Sequence, residues 1–273
     1  MPIAHPIRVV LLTLTLIAAG CATSPTGRSQ LMVISPESAI VQSRAAYFDT
    51  VKTLADQNLL VDDPQLVDRV AVITGRVVTA AIEAFPNSRS WEWSVAIVDD
   101  NKTVNAWCMA GGRMAVYTGL FRQLKLTDAE FAQIMGHEIS HALANHTAER
   151  MSRAMITQLG ILAIAATADS QTTTNNASKA AELALELPNS RTAETEADVL
   201  GLRLATLAGY DPEAAVTLWQ KMADLGGDSP PEFLSTHPAP DNRQAKLSAQ
   251  VAQVRALNPA GHKAAVHPVT IIR

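Results

Sequence analysis

Residues 127–150, TDAEFAQIMGHEISHALANHTAER, constrain this chain more than any other stretch. At their centre His137, Glu138 and His141 stand in the spacing HExxH. On a helix, two histidines four residues apart lie one turn apart on the same face, where both imidazoles can meet one metal ion. Glu138 falls about a quarter-turn away, positioned to serve as general base toward an attacking water. The helix itself is well signalled. Thr127-Asp128-Ala129-Glu130 has the form of a capping box, and Phe131, Ile134 and Leu143 recur at helical spacing. The pattern predicts one continuous helix. On it His146, nine residues after His137, lies about half a circumference away and is excluded from the metal, leaving it a surface or core histidine.

A catalytic zinc takes three protein ligands and keeps one position open. A third histidine soon after HExxH, in the metzincin manner, is ruled out by Ala144 and Thr147 at the matching positions. The alternative is Glu194-Thr195-Glu196-Ala197-Asp198, on a helix predicted from Arg191 to Ala208. Glu194 and Asp198 share a face, whereas Glu196 points away from both. Glu194 can supply the third ligand while Asp198 accepts an imidazole N–H. The same spacing suits a solvated acidic face, and the pattern alone does not choose.

The chain of 273 residues is 48% hydrophobic but only 4% aromatic, which predicts a helix-rich core of Ala, Val, Leu and Ile. Its net charge of −4, without a basic block, argues against nucleic acid as a main partner. Helices are predicted from Ser35-Pro36-Glu37 to about Asp56, over 64–85, from Asp211-Pro212-Glu213 and over 241–257. Between them, 91–98 and 103–109 read as a hairpin, with a third short strand at 114–117 after Gly111-Gly112. The apolar window 154–168 reads as a buried helix, with a lid or interfacial helix as the other reading; the polar run 169–178 suits a gate.

Residues 1–20 read as a signal peptide: Arg8, an apolar run, then Ala18-Ala19-Gly20. Cys21 directly afterwards resembles the lipidated cysteine of bacterial lipoproteins, with Ala22 in keeping with outer-membrane sorting. Ala18 stands where that box usually carries Leu. An unmodified Cys21 could instead pair with Cys108 in an oxidising compartment. Residues 21–34 then form a tether, 35–257 the folded domain and 258–273 a poorly ordered tail.

HExxH followed by E-x-x-A-D resembles the HtpX/BepA/LoiP branch of zinc metallopeptidases, related to the CAAX prenyl proteases. The likeness extends through Asn105-Ala106, Gly111-Gly112, Val116-Tyr117-Thr118-Gly119-Leu120, Ser235-Thr236-His237-Pro238, Pro240-Asp241 and Arg243. It implies an α+β, predominantly helical, zincin-like (gluzincin) domain with a small antiparallel sheet packed on the HEXXH helix. It implies one Zn(2+) per chain on His137, His141 and Glu194, and His237 as a possible fourth ligand or switch. Asp198 and Arg243 are expected behind the ligands, and the strand at Asn105 and Ala106 along the substrate edge. Cys108-Met109-Ala110 departs from the usual A-L-P there. Missing transmembrane helices, a short C-terminus and the lipoprotein signal place the chain with LoiP-like periplasmic lipoproteins, anchored to the outer membrane by lipidated Cys21. The implied activity is endopeptidase cleavage of unfolded or misassembled envelope proteins. The alternative is a chaperone-like factor, allied to outer-membrane assembly machinery, with a mostly closed zinc site.

Overall fold

Val95 and Ile97 of strand β3 (Ser94–Val98) face one apolar cluster, and Ala96 and Val98 face another, so helices cover both sides of the sheet. The protein is described from a computed structural model covering residues 21–167, 190–225, 231–238 and 242–273, with side chains to residue 162 in the first stretch. The signal segment, the 169–178 gate and parts of the Pro-rich loop before and after His237 lie outside the described residues. The sheet has the order β4 (Ala106–Met109), β5 (Arg113–Tyr117), β3, β6 (Thr270–Ile272). Helix α1 (Pro36–Asp56) packs Tyr47 and Val51 on one face, the Tyr47 hydroxyl donating to the Met114 carbonyl at 3.1 Å. On the other face lie α2 (Pro64–Ala84) and α4 (Asp128–Leu143), with the short α3 (Thr118–Leu124) linking β5 to α4 in sequence.

The expected fold class holds: mostly helical, with a small sheet beside the HExxH helix. Its pairing differs from the expectation. The predicted hairpin between 91–98 and 103–109 does not form; β3 instead runs parallel to β5 and to β6. The Asp100 carboxylate takes the amides of Lys102 and Thr103 and the Thr103 hydroxyl, forming a local turn that steers the chain away from β3. The antiparallel pair is β4–β5, joined through Gly111 and Gly112 at φ 86° and 82°, values that favour glycine. The tail is also ordered. Its Thr270–Ile272 segment pairs with β3, and the His267 amide donates to the Gly75 carbonyl at 3.1 Å.

Helix α6 (Arg191–Leu207) ends at Gly209, in the left-handed region at φ 90°, as expected. Its crossing with α4 is unusually close. A Cβ on Gly201 would sit 2.6 Å from the His137 amide nitrogen, and one on Gly136 would sit 2.6 Å from the Gly201 carbonyl oxygen. The two backbones therefore meet glycine to glycine. Helices α7 (Glu213–Leu225), the five-residue α8 (Glu232–Thr236) and α9 (Arg243–Arg255) complete this part of the core.

The chain divides into two compact units, one spanning 40–146 and 188–273 and containing the four-stranded sheet and the helices above apart from the first turn of α1. The other takes in 1–39 and 147–187. Its described residues fold the expected tether into an antiparallel hairpin, β1 (Cys21–Thr23) and β2 (Ser29–Leu31). Arg28 forks onto both Glu149 oxygens at 2.8 and 2.7 Å, and the Ile34 amide donates to the Ser152 hydroxyl at 2.8 Å. Glu149 and Ser152 lie on α5 (His146–Thr167), whose apolar window is not the buried helix expected: Met155, Ile156, Leu159 and Leu162 are exposed. No described helix is long and apolar enough to cross a membrane. Neither cysteine is disulfide-bonded, which removes the Cys21–Cys108 pairing; Cys108 is buried and Cys21 exposed.

Candidate metal centre

The capping box fixes where α4 begins. Thr127 accepts the Glu130 amide at 3.2 Å, and the Glu130 carboxylate accepts the Thr127 amide at 2.8 Å. From that start the HExxH turn runs past the Gly136/Gly201 crossing. Glu194, Asp198 and Gly201 follow one another at i, i+4 and i+7 on α6, so the close approach at Gly201 brings both carboxylates against His137. His137 Nε2 lies 3.1 Å from His141 Nε2 and 3.2 Å from Glu194 Oε2. His237 Nδ1 lies 3.3 Å from His137 Nε2 and 3.2 Å from Glu194 Oε1. The ligand atoms of His137, His141, Glu194 and His237 all fall within 4.8 Å of one another, and all four residues are buried.

The expected supporting residues are also in place. His137 Nδ1 meets Asp198 Oδ1 at 3.0 Å. Arg243 donates from Nε to Asp198 Oδ2 at 2.6 Å and from Nη2 to Glu194 Oε2 at 2.7 Å, with Trp219 beneath its guanidinium. Burial alone would raise the Glu194 carboxyl, but the imidazoles of His137, His237 and His141 outweigh it and hold the group far below the usual carboxylate range. Burial also opposes a charged His137, yet Asp198 and Glu194 raise it to about 10. His141, penalised first by burial and then by His137, is held well below its ordinary value. Burial pushes Glu138 upward, against the charges of His137 and His237 and the Cys108 amide.

This donor set fits a divalent cation. Donors about 2.0–2.1 Å from a tetrahedral centre lie about 3.3–3.4 Å apart; five spacings here, taken to whichever Glu194 oxygen is nearer, are 3.1 to 3.4 Å, and the whole set falls within 4.8 Å. The charges agree as well. With the imidazoles neutral, as ligands must be, Glu194 and Asp198 share one guanidinium, Arg243, and buried Glu138 has no Lys or Arg partner, so the pocket is left short of positive charge that a dication would supply. Glu138 Oε1, buried and without a hydrogen-bond partner among the described residues, is a free acceptor at the edge of the set, 3.5 Å from His237 Nε2.

His146 stands outside the four gathered donors as a buried core histidine; what differs from the reading of the sequence is the helix that carries it. Helix α4 stops at Ala144, and Asn145 turns through the left-handed region at φ 56°, so His146 opens a new helix rather than continuing the old one. Its Nδ1 lies 2.8 Å from His141 Nδ1, and its Nε2 lies 3.2 Å from Glu196 Oε2, on the face of α6 turned away from Glu194. The Asn at the helix end was the available signal. The strand edge at Asn105 and Ala106 is buried and partly occupied. The Asn105 side chain accepts the Ala106 amide at 2.9 Å and donates to Glu232 at 3.0 Å, while the Phe233 amide donates to the Val104 carbonyl at 3.0 Å.

An HExxH helix facing the E-x-x-A-D face of a second helix, with the intervening Glu beside the donors, defines a metallopeptidase-type centre. The chain belongs to peptidase family M48, which matches residues 50–251. It is 36% identical over 198 residues to mitochondrial metalloendopeptidase OMA1 of Arabidopsis thaliana, covering 72% of this chain and 39% of that protein. It is 30% identical over 241 residues to metalloendopeptidase OMA1 of Bos taurus, covering 84% and 45%. To the beta-barrel assembly-enhancing protease of Escherichia coli strain K12 it is 29% identical over 215 residues, covering 75% and 43%. The chain thus spans less than half the length of each of these relatives.

Proposed function

We propose that this chain is a zinc-dependent endopeptidase of LoiP-like type that cuts unfolded or misassembled envelope proteins. The observation that carries the reading is the convergence of His137, His141 and Glu194, with the unpartnered Oε1 of Glu138 at their edge. Zinc bound there supplies Lewis acidity, polarising a peptide carbonyl and making water acidic near neutral pH. Glu138 accepts the proton of the attacking water and delivers it to the departing amide nitrogen. Asp198 and Arg243 hold His137 and Glu194 in register while this happens. The outward backbone of β4 pairs with an extended substrate, and only a chain without its own secondary structure has such a backbone to offer.

The E. coli relative is named for enhancing β-barrel assembly, which supports envelope proteins as the substrate class. Lipidation at Cys21 and residence on the periplasmic face of the outer membrane belong to the same proposal, testable by acyl labelling of wild type against Cys21→Ser. The second reading, a chaperone-like factor with a closed site, is favoured by one observation: His237 already stands in the fourth donor position. Digestion of casein with and without a chelator distinguishes the two. Glu138→Gln is the sharper test: it should retain zinc and lose 10²–10⁴-fold or more in turnover. Retained turnover in that variant rejects the peptidase mechanism.

A further inference from the structure

We infer that His146, backed by Glu196, is a positioning residue for the metal ligand His141, forming a buried imidazole–imidazole–carboxylate relay separate from the Asp198–Arg243 support of His137. The inference rests on the metal reading above and deepens it.

The tautomers follow from chemistry once His141 uses Nε2 as its ligand atom. That nitrogen must present its lone pair, so the ring proton sits on Nδ1. His141 Nδ1 faces His146 Nδ1 at 2.8 Å, and a donor must face an acceptor, so His146 Nδ1 carries a lone pair. The His146 proton is then on Nε2, which faces Glu196 Oε2 at 3.2 Å. Each contact in the chain has one donor and one acceptor. Ligating histidines ordinarily donate their second N–H to a carboxylate, carbonyl or water; here a neutral imidazole takes that place and passes the interaction on to a carboxylate. His141, His146 and Glu196 are all at most 5% exposed, so water does not compete for these bonds.

A break in the local fold makes this contact possible. Nine residues of continuous helix would carry His146 to the far side of α4; the left-handed Asn145 brings it back against His141. Glu196, two residues from either site carboxylate, reaches the relay from the opposite face of α6. The same helix therefore orients one ligand through Asp198 and the other through Glu196.

The test is zinc affinity of the full chain by competition with a chromogenic chelator, in wild type, His146→Leu, His146→Gln and Glu196→Leu. Thermal unfolding of each chelator-stripped protein serves as the folding control. Leu preserves bulk but leaves His141 Nδ1–H without an acceptor, and it should weaken zinc binding 10- to 100-fold. Gln can accept from His141 and donate to Glu196, so it should restore affinity to within about threefold of wild type. Wild-type affinity in the Leu variant overturns the inference, as does a Gln variant no better than Leu. Where the His146→Leu variant does not fold, Glu196→Leu, which removes the acceptor, decides: weakened zinc binding with unchanged metal-free stability supports the relay, and unchanged binding overturns it. A wild-type chain that takes up no zinc at all would instead reject the metal reading itself.

Discussion

Gly201→Ala tests the contact on which the centre depends. The added Cβ would stand 2.6 Å from the His137 nitrogen and 2.8 Å from both the Gly136 carbonyl carbon and His137 Cα. These are backbone atoms, so no side chain can swing aside. Ordinary contact begins at 3.4 Å, and α4 and α6 must separate by about 0.8 Å. Glu194 and Asp198 ride on the same face of α6 and move with it. The 3.0 Å His137–Asp198 contact then leaves hydrogen-bonding range, and the 3.2 Å Glu194–His137 spacing grows past a tetrahedral edge. Metal sites tolerate about 0.2 Å of ligand displacement, roughly a quarter of this shift. The expected cost is about 1–3 kcal/mol of stability from overpacking, and a loss of zinc affinity on the order of 100-fold, near 2.7 kcal/mol. Chelator competition reads the second, and melting with and without zinc reads the first. Gly160→Ala is the control: its Cβ meets nothing within 4 Å, and in a helix it should be neutral or slightly stabilising. If Gly201→Ala bound zinc and cleaved casein like wild type, the crossing would not be what assembles the site.

His237→Ala vacates the fourth donor position while leaving three ligands, so casein turnover should rise at unchanged zinc stoichiometry; a fall would assign His237 to substrate or transition state instead. Glu130 gives a pH prediction. Burial raises its carboxyl, but Lys221, the Thr127 amide and the hydroxyls of Thr217 and Thr127 together hold it below its usual value. Its folded pKa is depressed, so its contribution is complete above the unfolded value of about 4.3 and is lost as pH falls through the folded one. Urea midpoints measured from pH 5 downward should therefore fall less steeply in Glu130→Gln than in wild type. An identical slope would show that Glu130 adds nothing to acid sensitivity.

Much of this centre was legible in the sequence because it is written in local chemistry. HExxH, the capping box and the shared face of Glu194 and Asp198 depend on helical periodicity, and periodicity survives folding. What failed to read through was set by chain direction and by partners. Residues 91–98 and 103–109 have the composition of a hairpin, but strand composition says nothing about which strand lies alongside; Thr270–Ile272 and Arg113–Tyr117 took β3 instead. The helix break before His146 did not read through either, because nothing short of Asn145 itself marks it. Residues 21–34 look like a tether by composition, yet Glu149 gives Arg28 a buried partner that composition does not reveal.

A site with four donors already gathered raises the question of how a substrate enters it, and the β4 edge proposed above for substrate offers a testable answer. His237 is carried by a short strap, α8, fixed at three points: the Phe233 amide on the Val104 carbonyl, Glu232 on the Asn105 side chain, and the Arg243 guanidinium on the His237 carbonyl at 3.3 Å. Antiparallel alternation turns the Ala106 and Cys108 backbone groups outward, along the line an added strand would take. An extended peptide lengthening that pairing upstream competes for the Val104 carbonyl that Phe233 now holds. If substrate binds there as proposed, substrate and strap contend for one edge, and an incoming chain that wins it also loosens the fourth donor. Glu232→Ala removes one fixing point, a hydrogen bond to a charged group worth about 1.5–3 kcal/mol where buried and less for this part-buried pair. The strap should open more readily, lowering KM for casein with His137, His141 and Glu194 untouched. KM unchanged or raised in that variant would mean the strap is not what a substrate must displace.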